Sequence, residues 1–386
     1  MAEERVQSSP QPAPRRPTVG IVGSAGAYGR WLRRFFQTRM GLDTLGHDPC
    51  DPASDPPERL LAEADVLVFS VPIGATAAVI DDWRVRSAGR EAGRLWLDVT
   101  SIKQAPVAAM LRSTAEVAGL HPMTAPPAAP SLKGRVVAVC EARLDAWRPW
   151  FEALLAALQA ECVRIEPEAH DRAMALVQAM VHAGHLAQAG TLAACAGASG
   201  GLDALLAVRT ASFELDHAIA ARILSLNPRI YEDIQFENPH VPEVLDTLSA
   251  ELAALRALVA RGDASAREEF RARFLARNRE AFGAPSLAAG NATFERVGHL
   301  LADLLDRPTL SVHLPEDRAG SLRALLAVFE RHGISLASLH SLRTPAGEVH
   351  FRFGFDPAQD RQALAAAAAE IDVTGIGRVL VDASTV

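Results

Sequence analysis

Residues 18–29 read TVGIVGSAGAYG, a short apolar run of strand-forming residues that breaks into a loop with glycines at 23, 26 and 29. The next residues, YGRWLRRFFQTR, place Trp31, Leu32, Phe35 and Phe36 at helical spacing. A strand, a glycine turn and an amphipathic helix in that order predict the start of a Rossmann-like α/β domain. Glycines at such a turn let the backbone approach a pyrophosphate, which then sits against the unpaired N–H groups of the helix N-terminus. Gly23, Ser24, Ala25, Gly26, Tyr28 and Gly29 are therefore candidate cofactor-binding residues. The spacing G-x-x-G-x-x-G is one residue longer between its first two glycines than the common form, so a structural turn without a nucleotide stays open on this stretch alone.

Further apolar runs follow up to residue 165: DVLVFSVP, LWLDVTS, VAGLH and VVAVC. Strands this uniformly apolar imply a sheet covered on both faces, hence a parallel sheet. Asp48, in LGHDPCD, falls near the end of the expected second strand, where a carboxylate can accept hydrogen bonds from the adenosine ribose. A carboxylate there repels a 2'-phosphate, so NAD is favoured over NADP; Asp51 is close enough to serve instead.

The texture changes twice more. Residues 166–306 carry long helical patterns such as AMALVQAMVHAGHLAQAGTLAACA and VPEVLDTLSAELAALRALVARG, predicting an all-helical domain whose apolar faces suit a dimer interface. From residue 307 the order is strand LSVHLP, helix SLRALLAVFERHG closed by Gly333, strands SLASLHSLR and EVHFRFGF around a turn TPAG, helix DRQALAAAAAEI and strand GRVLVD. That is βαββαβ, a ferredoxin-like domain over 307–386. The opening seventeen residues, polar and proline-rich, are expected to be a disordered tail, neither signal peptide nor anchor.

Composition excludes several classes. At 386 residues, two or three domains are expected from a prior of ~150 residues each. With 49% hydrophobic and 22% charged residues the chain reads as soluble and globular. A formal charge of -7 without a basic stripe argues against nucleic acid or an anionic membrane as partner. No stretch approaches the ~18 apolar residues needed to span a bilayer. Cys50, Cys140, Cys162 and Cys195 are far apart, with no metal-binding or disulfide spacing, and read as reduced thiols of a cytoplasmic protein.

In an open parallel sheet, residues at the carboxyl ends of strands face the ligand crevice. Ser101 and Lys103 after LWLDVTS, and His121 in GLHPM, should therefore line one site. His121 on position alone is equally a core histidine or an acid/base catalyst. Gln178 and His182, four apart in LVQAMVHAGHL, share a helix face near His185. No H-E-x-x-H or acidic cluster accompanies them, so no metal is expected. Arg222, in the apolar stretch DHAIAARILSLNP, is either an internal salt bridge or a clamp for an acidic substrate. The G-x-S-x-G at 197–201 follows a helical pattern rather than a strand, so it is not read as a nucleophile elbow.

Together GIVGSAGAYGRW, FSVPI, DVTSIK, GLHPM, LVQAMVH and ARILSLNPRIYEDI, in this order over about residues 18–300, resemble the prephenate dehydrogenase family. The resemblance implies NAD as cofactor, with Val71 and Pro72 of FSVPI added to the cofactor site, and a helical dimerisation domain. It implies that His121 is the catalytic histidine, Ser101 the substrate-orienting serine, His182 a second site histidine and Arg222 the arginine for a substrate carboxylate. The implied reaction is oxidative decarboxylation of prephenate to 4-hydroxyphenylpyruvate and carbon dioxide in tyrosine biosynthesis. Arogenate or 4-amino-4-deoxyprephenate are alternative substrates, and a non-catalytic amino-acid sensor is the reading from another class.

The chain departs from many relatives at Thr124-Ala125-Pro126, where they carry Phe-Gly-Pro. The C-terminal segment resembles an ACT domain, with the loop Asp317-Arg318-Ala319-Gly320-Ser321-Leu322 leading its first helix. That resemblance implies paired domains and an amino-acid effector, with tyrosine the natural one. The Glu-Ser-Arg-Pro motif of phenylalanine-binding relatives is absent around residues 339–345.

Overall fold

The run at 19–22 forms β1 (Val19–Val22), buried throughout, in a computed structural model that describes residues 16–126, 131–304, 308–314, 318–343 and 349–380. Successive side chains of a strand point to opposite faces. Val19 and Ile21 accordingly join one apolar cluster with Trp31, Phe35 and Phe36 of α1 (Ala27–Arg39), and Val22 joins another with Leu60 of α2 (Pro57–Glu63) and Trp83 of α3 (Ile73–Ser87). The sheet is covered on both faces, as its apolar strands require.

Six further strands complete it: β2 (Thr44–His47), β3 (Val66–Phe69), β4 (Leu95–Asp98), β5 (Glu116–Pro122), β6 (Val136–Arg143) and β7 (Glu161–Arg164). Their order is β2-β1-β3-β4-β5-β6-β7. Strands β1 to β5 run parallel, and the order reverses beside β1, which opens a crevice at the carboxyl ends of β1 and β3. The parallel sheet carries one reversal that its apolar texture did not announce: β6 is antiparallel to β5, pairing Leu120 with Val139, and β7 follows β6 in parallel. A parallel return needs a crossover, usually a helix. The sequence between β5 and β6 has prolines at 126, 127 and 130, which oppose one. Helices α4 (Gln104–Leu111) and α5 (Arg148–Leu158) fill the remaining connections.

The helical stretch contains α6 (Pro167–Met174), a π-helical turn at Ala175–Met180, α7 (Val181–Cys195), α8 (Leu202–Ala207), α9 (Ala211–Ser225), α10 (Pro228–Phe236) and α11 (Val241–Arg261). It continues with α12 (Ala264–Phe270), a second π-helical turn at Arg271–Ala276, α13 (Arg277–Phe282) and α14 (Ala284–Leu304). Its surface is unusually apolar: α7 buries none of its residues, and Leu176, Val177, Leu224 and Phe236 are exposed. The G-x-S-x-G lies in a short 3₁₀ turn, Ala196–Ser199, after α7 and not after a strand.

Two compact units result. One takes the residues up to Val208 together with Leu215–Glu251, the other Arg209–Glu214 and the residues from Leu252 onward, so the helical stretch is shared between them. The second unit contains β8 (Thr309–Leu314), α15 (Ser321–Arg331), β9 (Leu336–Arg343), β10 (Val349–Phe355), α16 (Arg361–Thr374) and β11 (Arg378–Leu380). The antiparallel order β11-β8-β10-β9 is ferredoxin-like. Phe329 of α15 packs on Phe353 of β10 with ring centroids 4.7 Å apart. Gly333, at φ +65°, turns the chain after α15, a conformation that a side chain would disfavour. The TPAG turn, the residues after 380, Asp317 and residues 1–15 of the expected tail lie outside the described residues. Among the described residues no helix is long and apolar enough to cross a membrane.

Candidate active site

The glycine loop follows β1 as expected, and two of its glycines are dictated by close approach. Gly23 has φ +86°, and a Cβ there would lie 2.2 Å from the Ser70 carbonyl oxygen. A Cβ on Gly29 would lie 2.1 Å from the Gly23 carbonyl, so only glycine lets α1 come this near the strand. Gly26 caps α1, whose first turn has neither a side-chain cap nor an acidic residue. Its N–H groups and positive dipole end are thus suited to an anion.

Ser24 is buried, and Ala25 donates its N–H to Asp48 Oδ2 at 3.1 Å. Asp48 therefore touches the glycine loop, whereas Asp51 accepts from Ala53 N within its own turn. Val71 lies beside Gly23, and Pro72 caps α3 at the carboxyl end of β3.

His121 stands near the carboxyl end of β5, 3% exposed. Its Nδ1 is 3.0 Å from His170 Nε2, and its Nε2 is 3.4 Å from Gln178 Nε2. His170 Nδ1 lies 2.7 Å from Asp171 Oδ1. An amide nitrogen only donates and a carboxylate only accepts. Gln178 therefore donates to His121 Nε2, His121 Nδ1–H donates to His170 Nε2, and His170 Nδ1–H donates to Asp171. Burial, then His170 and Lys103, push the His121 pKa well below its ordinary value. The result is a neutral imidazole with its Nε2 lone pair on the Gln178 side.

Beneath it lies a buried charge pair. Lys103 Nζ is bound to Asp98 and donates to the Leu120 carbonyl at 2.8 Å, with no exposed side-chain surface on either residue of the pair. Asp98 Oδ1 also accepts from Thr100 N and Oγ1, at 3.1 and 2.8 Å. Lys103, expected to line the substrate site, is instead placed under the strand end that carries His121. Its aliphatic stem lies against Gly119 of β5, where an added Cβ would stand 3.0 Å from Lys103 Cδ.

Of the other expected residues, Gln178 joins the His121 chain from the π-helical turn, a distortion common at functional sites. His182, one helical step on, packs edge-on against Tyr231, ring centroids 5.0 Å apart, and its buried Nδ1 has no hydrogen-bond partner. Burial and the nearby His185 lower its pKa. Ser101 is half-buried, its hydroxyl bonded to no described residue, and Arg222 is exposed on α9 with its guanidinium likewise unengaged. Neither is drawn into the hydrogen-bonded chain.

His170 and Asp171 are the residues that sequence reasoning missed. Asp171 also accepts from Lys103 N and Gln104 N, at 2.7 and 2.9 Å, and so caps α4 from another helix. Its carbonyl accepts from Asn238 Nδ2 at 2.7 Å. The available signal was spacing: His170, Met174, Gln178 and His182 recur at steps of four, one helix face.

Residues 166–274 match the family model "Prephenate dehydrogenase, dimerization domain". The chain is 30% identical over 250 residues to the probable arogenate/prephenate dehydrogenase of Methanocaldococcus jannaschii, covering 60% of this chain and 54% of that one, about half its length. It is 32% identical over 261 residues to the 4-amino-4-deoxyprephenate dehydrogenase of Streptomyces pristinaespiralis, covering 63% of this chain and 85% of that one. Its fold matches the crystal structure of prephenate dehydrogenase from A. aeolicus in complex with hydroxyphenyl propionate and NAD+, with a TM-score of 0.55 at 17% identity over 69% of this chain and 99% of that one. With 85% of a relative covered at 32% identity, and with the matched dimerization segment carrying Gln178 beside His121, the chain belongs to the prephenate dehydrogenase family.

Proposed function

We propose that the chain is an NAD-dependent prephenate dehydrogenase, converting prephenate to 4-hydroxyphenylpyruvate and carbon dioxide. The observation that carries this reading is the neutral His121, its Nε2 lone pair fixed by the His170–Asp171 chain in the sheet that also presents the glycine loop. The loop fits a dinucleotide: Gly23 and Gly29 admit no side chain, the α1 N-terminus is uncapped by side chains, and Asp48 follows β2. Gly23, Ser24, Ala25, Gly26, Gly29, Val71 and Pro72 would hold NAD, together with the main chain of Tyr28 in the first turn of α1. The Asp48 carboxylate would accept from the ribose and disfavour the phosphate of NADP. NAD, when bound, supplies the hydride acceptor.

Once the C4 hydroxyl of prephenate displaces the long Gln178 contact at His121 Nε2, that nitrogen accepts the hydroxyl proton as the substrate gives up its C4 hydride, and returns it to the phenolate oxygen after loss of carbon dioxide has made the ring aromatic. Gln178 and Ser101 hold the hydroxyl in register with the imidazole. Arg222 takes a substrate carboxylate, and the unpartnered Nδ1 of His182 takes a second polar group of the substrate. Lys103 acts from below: its bond to the Leu120 carbonyl fixes the strand end, and its charge helps keep His121 neutral.

The domain reading follows the same lines: a cofactor domain over 18–165, a helical substrate and dimerisation domain over 166–306, and an ACT regulatory domain over 307–386. The unburied apolar surface of α7 and the name of the matched family model support a homodimer. The ferredoxin-like sheet order supports an ACT module, with tyrosine as its effector. The Streptomyces relative, covered over 85% of its length, favours 4-amino-4-deoxyprephenate as the second substrate reading.

The test is nicotinamide reduction with NAD and prephenate, arogenate or 4-amino-4-deoxyprephenate in competition, with and without tyrosine. Prephenate is expected to turn over fastest and tyrosine to slow it. Binding of NAD without turnover of any of the three would end this reading.

A further inference from the structure

Tyr28 stands in the first turn of α1, and its hydroxyl donates to the main-chain carbonyl of Thr124, three residues beyond His121. Strand β5 ends at Pro122, so the chain leaves the sheet there. Two bonds then hold it: Met123 N–H donates to the Val136 carbonyl at 2.9 Å, and Tyr28 fixes the next residue. The Thr124 hydroxyl turns to the neighbouring Ala125 carbonyl at 3.0 Å and holds nothing distant.

Tyr28 packs edge-on against Trp31, ring centroids 6.2 Å apart, and Trp31 stacks on Phe35 at 5.3 Å in the core. Burial raises the phenol pKa, with a smaller opposing influence from Arg135, so the hydroxyl stays a donor across the physiological range.

We propose that Tyr28 is a positioning residue: its bond to Thr124 ties the segment after His121 to the first turn of the dinucleotide-facing helix, so that catalytic strand end and cofactor loop keep one fixed spacing. The consequence for turnover rests on the dehydrogenase reading above; the tie itself does not. A contact made only to the cofactor would alter dinucleotide affinity. A tie between the two site halves alters the rate after both substrates are bound, because the reacting atoms lose their alignment.

The experiment compares wild type, Tyr28→Phe and Thr124→Ala by peptide-resolved hydrogen exchange over residues 116–126 and by steady-state kinetics. Tyr28→Phe keeps the ring and its contact with Trp31. Its Met123 amide, bonded to the Val136 carbonyl beside the Tyr28 tie, should exchange about tenfold faster, the loss expected for one hydrogen bond, with residues 117–120 unchanged. Thr124→Ala keeps the carbonyl and should exchange as wild type. With prephenate and NAD, Tyr28→Phe should lower kcat about tenfold and leave KM for NAD within about twofold. Unchanged exchange in Tyr28→Phe, equal acceleration in Thr124→Ala, or a raised KM for NAD at unchanged kcat would each overturn the proposal. A wild type without turnover would overturn the dehydrogenase reading alone, and the exchange rate of the Met123 amide would still decide the tie.

Discussion

His170 Nε2 lies 3.0 Å from His121 Nδ1, and this contact decides which nitrogen of His121 can act as a base. With its proton held on Nδ1 by His170, the imidazole presents a lone pair at Nε2 and cannot rotate without breaking a buried hydrogen bond. His170→Phe keeps volume and removes the acceptor. We predict a fall in kcat of about a hundredfold, the scale expected when a reacting group is misplaced, with NAD affinity unchanged by titration. Full activity in His170→Phe would show that His121 needs no such partner.

Asp171 serves two structures at once, since it receives His170 and the two main-chain N–H groups that open α4. Asp171→Ala orphans those donors at a cost of about 1–3 kcal/mol for each buried group. A lower urea midpoint with an unchanged slope should be seen. An unchanged midpoint would mean that the rest of the chain, not Asp171, holds α4 in place.

The Lys103–Asp98 pair has no exposed surface, so breaking it leaves one buried charge. Lys103→Met should destabilise by about 3–5 kcal/mol, and Lys103→Met combined with Asp98→Asn by less than the sum of the singles. A double-mutant cycle in urea measures this coupling; additive singles would contradict it.

The depressed His121 pKa sets a pH dependence. Above pH ~6.5 the histidine is neutral in the folded and the unfolded chain. As pH falls below that, the unfolded chain binds a proton that folded His121 refuses, so stability drops from about pH 6.5 toward the folded value. His182 and His350, whose pKa values burial also lowers, act in the same direction. His121→Gln should flatten this slope between about pH 6.5 and 5. The acid limb of kcat/KM should fall below the ordinary histidine value; a limb near 7 would contradict a neutral, buried base.

Gly29→Ala adds a Cβ where only 2.1 Å separates it from the Gly23 carbonyl. Position 29 is helical, so alanine brings no backbone penalty, and the effect is on the approach of α1 to the loop. NAD affinity should fall at least about tenfold, and calorimetric titration checks it.

Local patterns were legible and long-range partners were not. The apolar run at 19–22, the glycines and the spacing of Trp31, Leu32, Phe35 and Phe36 specify strand, turn and helix through neighbours alone, and the βαββαβ order at the C-terminus was read in the same way. The reversal at β6 depends on how a connection crosses the sheet, which alternating hydrophobicity does not encode. His170 and Asp171, beside acidic and basic neighbours at a helix start, look like a solvated first turn until the fold brings His121 and α4 against them. Lys103 looks like a ligand-facing cation, because sequence does not show Asp98 turning back beneath it.

The most direct test of the account is the product balance of purified wild type and His121→Asn incubated with prephenate and NAD. The account predicts NADH and 4-hydroxyphenylpyruvate in equal amounts from wild type, and a rate at least about a thousandfold lower in His121→Asn with NAD binding retained. Equal rates from the two proteins would remove His121 from the chemistry, and NAD binding without either product from wild type would contradict the proposed activity itself.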